Sequence, residues 1–323
     1  MTAVHEDTTP GSSDRAPYGD QLDVRPLTAH LGAEIRGISL ARDLDEVRFA
    51  HIRRAVLAHR VIFFRHQHLS GDEQIAFTRR FGPLTLAHPT LPAVEGAPTL
   101  YDLDSEGGAH ADMWHSDVTF VDQPPDFSVL RTVIVPDVGG DTIWADTVAA
   151  YQSLRPELQQ LAIALRAVHT NGYDYGRPDF RSLEGKVDSV RRAHSRQFAS
   201  TVYQAEHPVA RVHPETGEHA LLLGSFAQRL AGYNTADSLD LIRLFQSHVV
   251  RPDNTVRWHW QPGDVAVWDN RSTQHYATYD YGSARRKVQR VTTVGSLPLG
   301  VDGRPSKPLQ GDPAAYYQGL DRA

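Results

Sequence analysis

Apolar and polar residues alternate in patterns that predict helices near the N-terminus and short strands over most of the remaining chain. Residues 45–59 have helical spacing, with apolar side chains on one side. The apolar run at residues 61–64 predicts a buried strand. Ser70, with Glu73 three residues later, predicts the N-cap and capping box of a second helix that stops near residue 81.

Further along the chain, strand patterns alternate with turns up to residue 294. The predicted strands are residues 22–27, 33–38, 128–135, 142–144, 209–212, 220–223, 255–260, 264–268, 276–279 and 288–294. The predicted later helices are a short one that starts at Val148 with Thr147 as its cap, followed by residues 156–167 and 238–248. Short strands with few helices favour a mostly β chain with flanking helices, folded as a double-stranded β-helix, the cupin-like jelly roll.

One jelly-roll domain is predicted for residues 21–297. Residues 1–20 combine Ser, Thr, Pro and charge without periodicity, which predicts a disordered tail. Residues 170–205 are polar and irregular and predict an insertion or lid. Residues 298–323 are rich in Pro and Gly and predict a C-terminal tail.

The composition excludes several functional classes. The 323 residues include no Cys, which excludes disulfides, thiolate catalysis and Cys-ligated metals within the chain and fits a cytoplasmic protein. No apolar run reaches the roughly 18 residues of a membrane span, and no secretion signal is visible. The net charge of -6, without a Lys/Arg-rich block, disfavours a nucleic-acid partner.

A metal site is predicted around the sequence Trp114-His115-Ser116-Asp117. Alternation along a strand places His115 and Asp117 on the same face, and His275 is the best candidate for a third ligand. Two His and one carboxylate form the ligand set of non-haem Fe(II) oxygenases. By itself the His-x-Asp pattern is also compatible with a surface strand that carries two polar residues.

Two arginines predict anion binding near this site. Arg286 and Arg290 are four residues apart, so they share one face of a strand. Inward-facing guanidinium groups need anionic partners, and Arg suits bidentate capture of a carboxylate or sulfate. One anion could be a cosubstrate and the other a substrate. The alternative is that both arginines are surface charges on an edge strand.

Several motifs occur together in one order along the chain: FGP at 81–83 with HP at 88–89, WHSDVTF at 114–120, GGDTIW at 139–144, and WDNR at 268–271 followed by QHYA at 274–277 and Arg290. In this order the chain resembles the taurine dioxygenase family of Fe(II)/2-oxoglutarate-dependent oxygenases. The resemblance implies that O2 and the cosubstrate 2-oxoglutarate are consumed, that succinate and CO2 are released, and that a substrate C–H bond is hydroxylated.

The resemblance also implies residue roles. The implied iron ligands are His115, Asp117 and His275. Arg286, helped by Thr142, matches the residues that hold the distal carboxylate of 2-oxoglutarate.

Three further positions match residues of the family's substrate pocket. His88 and Arg290 match residues that grip the anionic end of the substrate, and Phe226 matches a pocket aromatic. From the residues alone, His88 could equally be a buried structural His, and Phe226 plain core.

Two departures from the taurine-specific pattern concern the substrate. Ala111 and Leu91 stand where taurine-specific members have Asn and Tyr, so the site loses polar contacts and predicts a more apolar substrate. The chain is also similar to the bacterial alkylsulfatase branch of the family, at residues 169–175, 206–209 and 212–218. That similarity implies a sulfate ester substrate, cleaved oxidatively to an aldehyde and free sulfate.

Alternative functions remain open at this point. The same mechanism could act on an aryloxyalkanoate, on a sulfonate such as taurine, or on a biosynthetic intermediate. A cupin-like protein that binds a metal without turnover is a further alternative, although such a protein needs no cosubstrate clamp. Members of the family often form dimers or tetramers, so a homo-oligomer is expected.

Overall fold

The structure is a computed structural model that describes residues 22–42, 44–172 and 189–317. The predicted N-terminal tail at residues 1–20 lies outside the described residues. The same holds for residues 173–188, which make up much of the predicted insertion or lid at residues 170–205 and include part of the alkylsulfatase-like motif at residues 169–175.

The described residues form eighteen strands and seven α-helices. The strands are β1 Asp23–Pro26, β2 Ala33–Arg36, β3 Val61–Phe64, β4 Ala93–Val94, β5 Ala97–Asp104, β6 Phe127–Ile134, β7 Thr142–Asp146, β8 Arg166–Thr170, β9 Gln204–Pro208, β10 Ala210–Val212, β11 His219–Leu221, β12 Ala227–Leu230, β13 Thr255–Trp258, β14 Val265–Asp269, β15 Thr273–Ala277, β16 Lys287–Thr292, β17 Leu299–Gly300 and β18 Lys307–Gln310. The helices are α1 Glu46–His59, α2 Gly71–Arg79, α3 Thr147–Gln152, α4 Pro156–Ala164, α5 Ser189–Phe198, α6 Thr235–Val249 and α7 Ala314–Tyr317.

Two facing sheets confirm the predicted jelly roll with flanking helices. The larger has eight strands in the order β1-β2-β3-β14-β6-β16-β5-β4, and a smaller one has the order β13-β7-β15. Aromatic side chains fill the space between them: the Trp144 ring of β7 lies 5.2 Å from the Phe63 ring of β3 and 5.7 Å from the Trp268 ring of β14. All three are fully buried, so this core fixes the distance between the sheets.

Helix starts follow the predicted capping chemistry with one exception. The Ser70 and Glu73 capping box of α2 is confirmed. The cap of α3 is Asp146 instead of the predicted Thr147, because the Asp146 carboxylate accepts from the backbone N–H groups of Val148 at 2.8 Å and Ala149 at 3.0 Å. A carboxylate near a helix N-terminus is also favoured by the helix dipole.

The predicted helix at residues 156–167 is wrong at its C-terminal end. Helix α4 stops at Ala164, and β8 follows, paired with both β9 and β12. Every residue of β8 is buried, so pairing with distant strands overrides the local helical pattern.

No helix among the described residues is long and apolar enough to cross a membrane.

Residues 299–317 differ from the predicted C-terminal tail. Strand β17 pairs with β10, and β18 pairs with β9. Tyr316 of α7 is 2% exposed and belongs to the same apolar cluster as Phe120 and Phe226. The hydrogen-bond partners lie far away in sequence, so the local Pro/Gly pattern gave no indication of these contacts.

A buried charge network holds the turn that leads from β14 into β15. The Asp269 carboxylate accepts from Arg271 Nε at 2.9 Å, Arg271 Nη2 at 2.8 Å and His213 Nε2 at 2.9 Å. Burial opposes ionisation of Asp269, but Arg271 and His213 outweigh it and lower the pKa of Asp269 below its ordinary value. The network therefore stabilises the turn only while this carboxylate is ionised.

We expect this network to make stability depend on pH. Because the pKa of Asp269 is depressed in the folded state, its contribution is complete above the ordinary Asp pKa of about 3.9 and is lost as pH falls below it. Asp269→Asn should lower the free energy of unfolding at neutral pH by about 3–5 kcal/mol. In this variant the free energy of unfolding should also decrease less as the pH falls, which urea unfolding at several pH values measures. Asp240→Asn, at an 80% exposed carboxylate, is the control; acid curves of identical shape for wild type and Asp269→Asn would contradict the assignment.

Candidate metal centre and substrate cavity

The segment with His115 and Asp117 has a different backbone from the predicted strand. His115 forms a single antiparallel bridge with His275, with N–O distances of 3.0 and 2.7 Å, and Asp117 begins a turn. Val118 then has a φ of +55°, which costs a non-glycine residue about 1–2 kcal/mol. The strand prediction was wrong here, and the bridge and the strained turn are what bring the two side chains together.

The three predicted ligands do meet. The Nε2 atoms of His115 and His275 lie 3.9 and 3.8 Å from Asp117 Oδ1, and one ligand atom of each residue lies within 4.8 Å of the others. His115 Nδ1 lies 2.6 Å from the carbonyl oxygen of Met113. A carbonyl only accepts, so Nδ1 carries the proton and the Nε2 lone pair faces the other two ligands.

The protonation states of the triad suit metal binding. Burial lowers the pKa of both His115 and His275, so both imidazoles are neutral at pH 7. Burial opposes ionisation of Asp117, but the charge of Arg290 lowers the pKa of its carboxyl nonetheless. Two neutral imidazoles and one carboxylate fit Fe(II).

Two polar side chains position Asp117. Ser128 Oγ donates to Asp117 Oδ2 at 2.7 Å. The Asn270 amide holds the backbone on both sides of the same residue: its Oδ1 accepts from Asp117 N at 2.7 Å, and its Nδ2 donates to Asp117 O at 3.0 Å. Asn270 belongs to the WDNR motif, but the sequence assigned it no role, because the partner is 153 residues away.

Arg286 and Thr142 lie together, as the resemblance implied. Arg286 Nε donates to Gly140 O at 2.8 Å, and its Nη2 donates to Thr142 Oγ1 at 3.3 Å. Thr142 Oγ1 also accepts from Trp260 Nε1 at 3.0 Å, so its own O–H remains available as a donor. Among the described residues, no carboxylate lies within 4.0 Å of the Arg286 guanidinium, which leaves a half-buried cation suited to an anionic ligand.

A cavity of about 420 Å³ extends outward from the metal ligands. His88, Phe226 and Arg290 border it, as do His115 and Asp117, whereas Arg286 and Thr142 lie outside its walls. Arg290 and Arg286 therefore do not border one cavity, contrary to the prediction that they share one face of a single strand. Arg286 precedes β16, and the register of β16 with β6 shifts between Lys287 and Val288.

Arg290 and His88, the two residues expected to bind the anionic end of the substrate, have defined hydrogen-bonding states. Arg290 is 6% exposed and contacts the carboxylate of Asp117, while its Nε has no hydrogen-bond partner among the described residues. His88 Nδ1 accepts from the backbone N–H groups of Thr90 at 3.1 Å and Leu91 at 3.2 Å. Burial, and then the charge of Arg290, lower the pKa of His88 well below its ordinary value, so this neutral ring presents Nε2–H as a donor.

Helix α5 forms a wall of the cavity that the sequence did not assign. Arg191 Nη2 donates to both carboxylate oxygens of Asp112 at 3.1 Å, and Phe198 lies parallel to Phe226 with ring centroids 6.2 Å apart. The helix has a weak signal in the sequence because it is polar on most of its surface. Its cavity-facing role depends on tertiary contacts.

Non-haem iron oxygenases hold their metal with two imidazoles and one carboxylate, as the buried triad of this jelly roll is arranged to do. The chain belongs to the taurine catabolism dioxygenase TauD, TfdA family, whose sequence pattern matches residues 23–292. It is therefore an Fe(II)- and 2-oxoglutarate-dependent dioxygenase, and Arg286 supplies the kind of cation that a dicarboxylate cosubstrate requires.

Two relatives share about half of their residues with this chain. An α-ketoglutarate-dependent sulfate ester dioxygenase from Pseudomonas putida is 50% identical over 90% of this chain and 96% of the relative; α-ketoglutarate is another name for 2-oxoglutarate. An alkylsulfatase from Acinetobacter baylyi is 48% identical over 89% of each protein.

Solved structures agree on the fold. A taurine dioxygenase from Burkholderia xenovorans superposes with a TM-score of 0.76 at 38% identity, covering 93% of this chain and 99% of the other. The protein AAD-2, solved in complex with Mn(II) and N-oxalylglycine, superposes with a TM-score of 0.70 at 26% identity, covering 86% of this chain and 98% of the other.

Proposed function

We propose that this enzyme oxidises alkyl sulfate esters to an aldehyde and free sulfate. The carrying observation is Arg290, a buried guanidinium that borders the cavity beside the metal ligands and keeps Nε without a partner among the described residues. Such a group favours a substrate with an anionic end. The sulfate ester is suggested by the two relatives that are about half identical to this chain.

One part of the cavity wall suits an apolar substrate body. The side chains of Leu91, Leu103, Phe120 and Phe198 border the cavity. Leu91 cannot donate a hydrogen bond, and the side chain of Ala111 on another wall cannot either. These two positions offer no polar contact to the amine of an aminosulfonate, which disfavours taurine.

The proposed reaction uses both atoms of O2. Fe(II) bound at the triad supplies the activation of O2 that consumes 2-oxoglutarate. One oxygen atom of O2 enters succinate, formed with CO2, and the other becomes a hydroxyl on the carbon that bears the sulfate. The C–O bond to sulfate then breaks with the electron pair leaving on sulfate, and the hydroxyl proton is released, which gives the aldehyde.

The chain's own residues bind and orient the substrate. Arg290 and the His88 Nε2–H hold the sulfate oxygens, and the apolar walls hold the alkyl body. Arg286 and the Thr142 hydroxyl hold the distal carboxylate of 2-oxoglutarate. Held in this way, the sulfate-bearing carbon lies nearest the metal ligands, where orientation supplies most of the protein's catalytic contribution.

A substrate panel tests the proposal against its alternatives. Succinate formation is measured with Fe(II), 2-oxoglutarate and, in turn, a mid-length alkyl sulfate, an aryloxyalkanoate and taurine. The proposal predicts the highest kcat/KM for the alkyl sulfate, with aldehyde and sulfate as products. The highest value for the aryloxyalkanoate, whose aryl ring the phenylalanines at 120, 198 and 226 could also contact, would contradict it.

Arg290→Ala should weaken substrate binding while basal 2-oxoglutarate turnover survives. Losing one partner of a charge-assisted pair costs about 2–5 kcal/mol, so the KM for the alkyl sulfate should rise about 30-fold or more. Substrate-free succinate formation should persist, because Arg290 does not contact the cosubstrate clamp. Mn(II) affinity, measured in parallel, reports whether Asp117 still functions without its partner; an unchanged KM excludes Arg290 from substrate binding.

We infer that the enzyme acts in the cytoplasm as a homo-oligomer and that it has a single catalytic domain, which extends beyond the predicted end at residue 297 to residue 317, because β17, β18 and α7 pack onto the rest of the fold. The absence of Cys supports a reducing compartment, and oligomers are common among soluble enzymes. Light scattering on the purified chain measures the oligomeric state. A monomer across the micromolar range would contradict the oligomer.

A further inference from the structure

Two histidines from separate sequence motifs meet at one residue beside the metal centre. His169 lies on β8, and His207 lies on the neighbouring strand β9. Both are fully buried, with ring centroids 4.9 Å apart. Each is hydrogen-bonded to Thr119, which follows Asp117 by two residues. Neither histidine borders the substrate cavity or belongs to the ligand triad.

The hydrogen bonds define the state of His207. Its Nε2 lies 2.7 Å from the carbonyl oxygen of Thr119, which can only accept, so Nε2 carries the proton. Burial lowers the pKa of His207 to about 3, so the ring is neutral, and Nδ1 accepts from the Ser306 hydroxyl at 2.6 Å. Ser306 immediately precedes β18, so the C-terminal segment fixes the orientation of this imidazole.

Thr119 is the far end of the strained turn. Val118, with its φ of +55°, stands between Asp117 and Thr119. On the near side, the Asn270 amide holds the backbone N–H and the carbonyl of Asp117. On the far side, His207 holds the Thr119 carbonyl, and His169 Nδ1 lies 2.9 Å from the Thr119 hydroxyl. A positive φ at a β-branched residue persists only where the surroundings impose it.

We propose that His207, oriented by Ser306 and assisted by His169, is a positioning residue for the metal centre. Its hydrogen bond to Thr119 keeps the turn in the conformation that aims the Asp117 carboxylate at His115 and His275. Outer partners of metal ligands commonly change metal affinity by about 10–100-fold. This inference rests on the metal triad of the proposed function but not on the identity of the substrate.

Mn(II) affinity tests the positioning role without requiring turnover. The full chain is titrated with Mn(II) under nitrogen, and the electron paramagnetic resonance signal of the free ion gives the dissociation constant. His207→Leu, which cannot donate to Thr119, should weaken Mn(II) binding about tenfold or more, whereas His207→Gln, whose amide can donate, should stay within about threefold of wild type. Wild-type Mn(II) affinity in a folded His207→Leu protein would overturn the proposal.

A matched pair of serine variants separates positioning from general stability. Ser306→Ala removes the hydrogen bond that the buried Ser306 hydroxyl donates to His207 Nδ1 at 2.6 Å. Ser238→Ala removes the hydrogen bond that the buried Ser238 hydroxyl accepts from the Leu230 N–H at 3.0 Å. Both should lower the melting temperature, but only Ser306→Ala should weaken Mn(II) binding. If His207→Leu does not fold, the two serine variants alone test the positioning role of His207. Equal Mn(II) affinities for these two variants would overturn the proposal.

Failure of the positioning role can be distinguished from failure of the proposed function. A wild-type protein that binds Mn(II) but releases no sulfate contradicts the proposed substrate, while the affinities of the His207 and Ser306 variants still decide the positioning role. A wild-type protein without measurable Mn(II) affinity contradicts the metal centre and the positioning role together.

Discussion

Replacing Asp117 with alanine is expected to abolish turnover by removing the metal. Asp117 is the only carboxylate of the triad, and its Oδ1 lies 3.9 and 3.8 Å from the Nε2 atoms of His115 and His275. Without it, two neutral histidines remain, and the buried Arg290 loses its partner. An unpaired buried charge costs about 3–5 kcal/mol and repels a cation. We expect Mn(II) affinity to fall at least about 100-fold and succinate formation to reach background.

Two variants separate the loss of a ligand from the loss of fold stability. Asp117→Asn keeps the shape of the side chain and removes the charge, so it should fold and still lose most of its Mn(II) affinity. Ser128→Ala removes the 2.7 Å hydrogen bond to Asp117 Oδ2 but leaves the carboxylate in place, so its effect should be much smaller. An Asp117→Asn protein with wild-type Mn(II) affinity and turnover would exclude Asp117 as a ligand.

Arg286→Ala should raise the 2-oxoglutarate requirement by a large factor. The guanidinium touches Gly140 and Thr142 but has no carboxylate within 4.0 Å among the described residues, so the distal carboxylate of the cosubstrate is its expected partner. Losing a charge-assisted bidentate contact of about 2–5 kcal/mol corresponds to about 30-fold or more in the KM for 2-oxoglutarate. Most of kcat should return at saturating cosubstrate, because the metal triad is intact.

The adjacent residue provides the control. Arg285 carries the same charge one position earlier but is paired with Asp104 at 2.5 Å and Glu106 at 3.2 Å on the surface. Arg285→Ala should leave the KM for 2-oxoglutarate almost unchanged, since exposed ion pairs contribute about 0–1 kcal/mol. A steady-state titration of succinate formation against 2-oxoglutarate compares both variants. Equal titration curves for them would remove Arg286 from the cosubstrate site.

The sequence predicted well what depends on residue type and local periodicity. The three ligands and the two arginines could be named because the chemistry of the site requires those side-chain types and because their order along the chain resembles that of the family. The capping box of α2 was predicted because its two partners are only three residues apart. The jelly roll was predicted from short strands with turns between them, which constrain the architecture without specifying which strands pair.

What the sequence missed depends on contacts between distant residues. The predicted strand at residues 114–117 is a single bridge and a turn, because among the described residues His115 pairs in β-bridge geometry with His275 alone. The pairing of β18 with β9 joins residues about 100 positions apart. Asn270 and His207 act on the backbone of the metal-binding turn through hydrogen bonds spanning 153 and 88 residues. No local pattern encodes such partners.

The most direct test of the central claim is the stoichiometry of products from a mid-length primary alkyl sulfate. Sulfate, aldehyde and succinate are measured together in one reaction of the wild-type chain, with and without Fe(II), 2-oxoglutarate and O2. After subtraction of the succinate that forms without alkyl sulfate, we predict equal amounts of the three products, and none when any one of the three additions is omitted. Sulfate released without 2-oxoglutarate, or succinate formed without sulfate from every sulfate ester tested, would contradict the oxidative cleavage of sulfate esters by this enzyme.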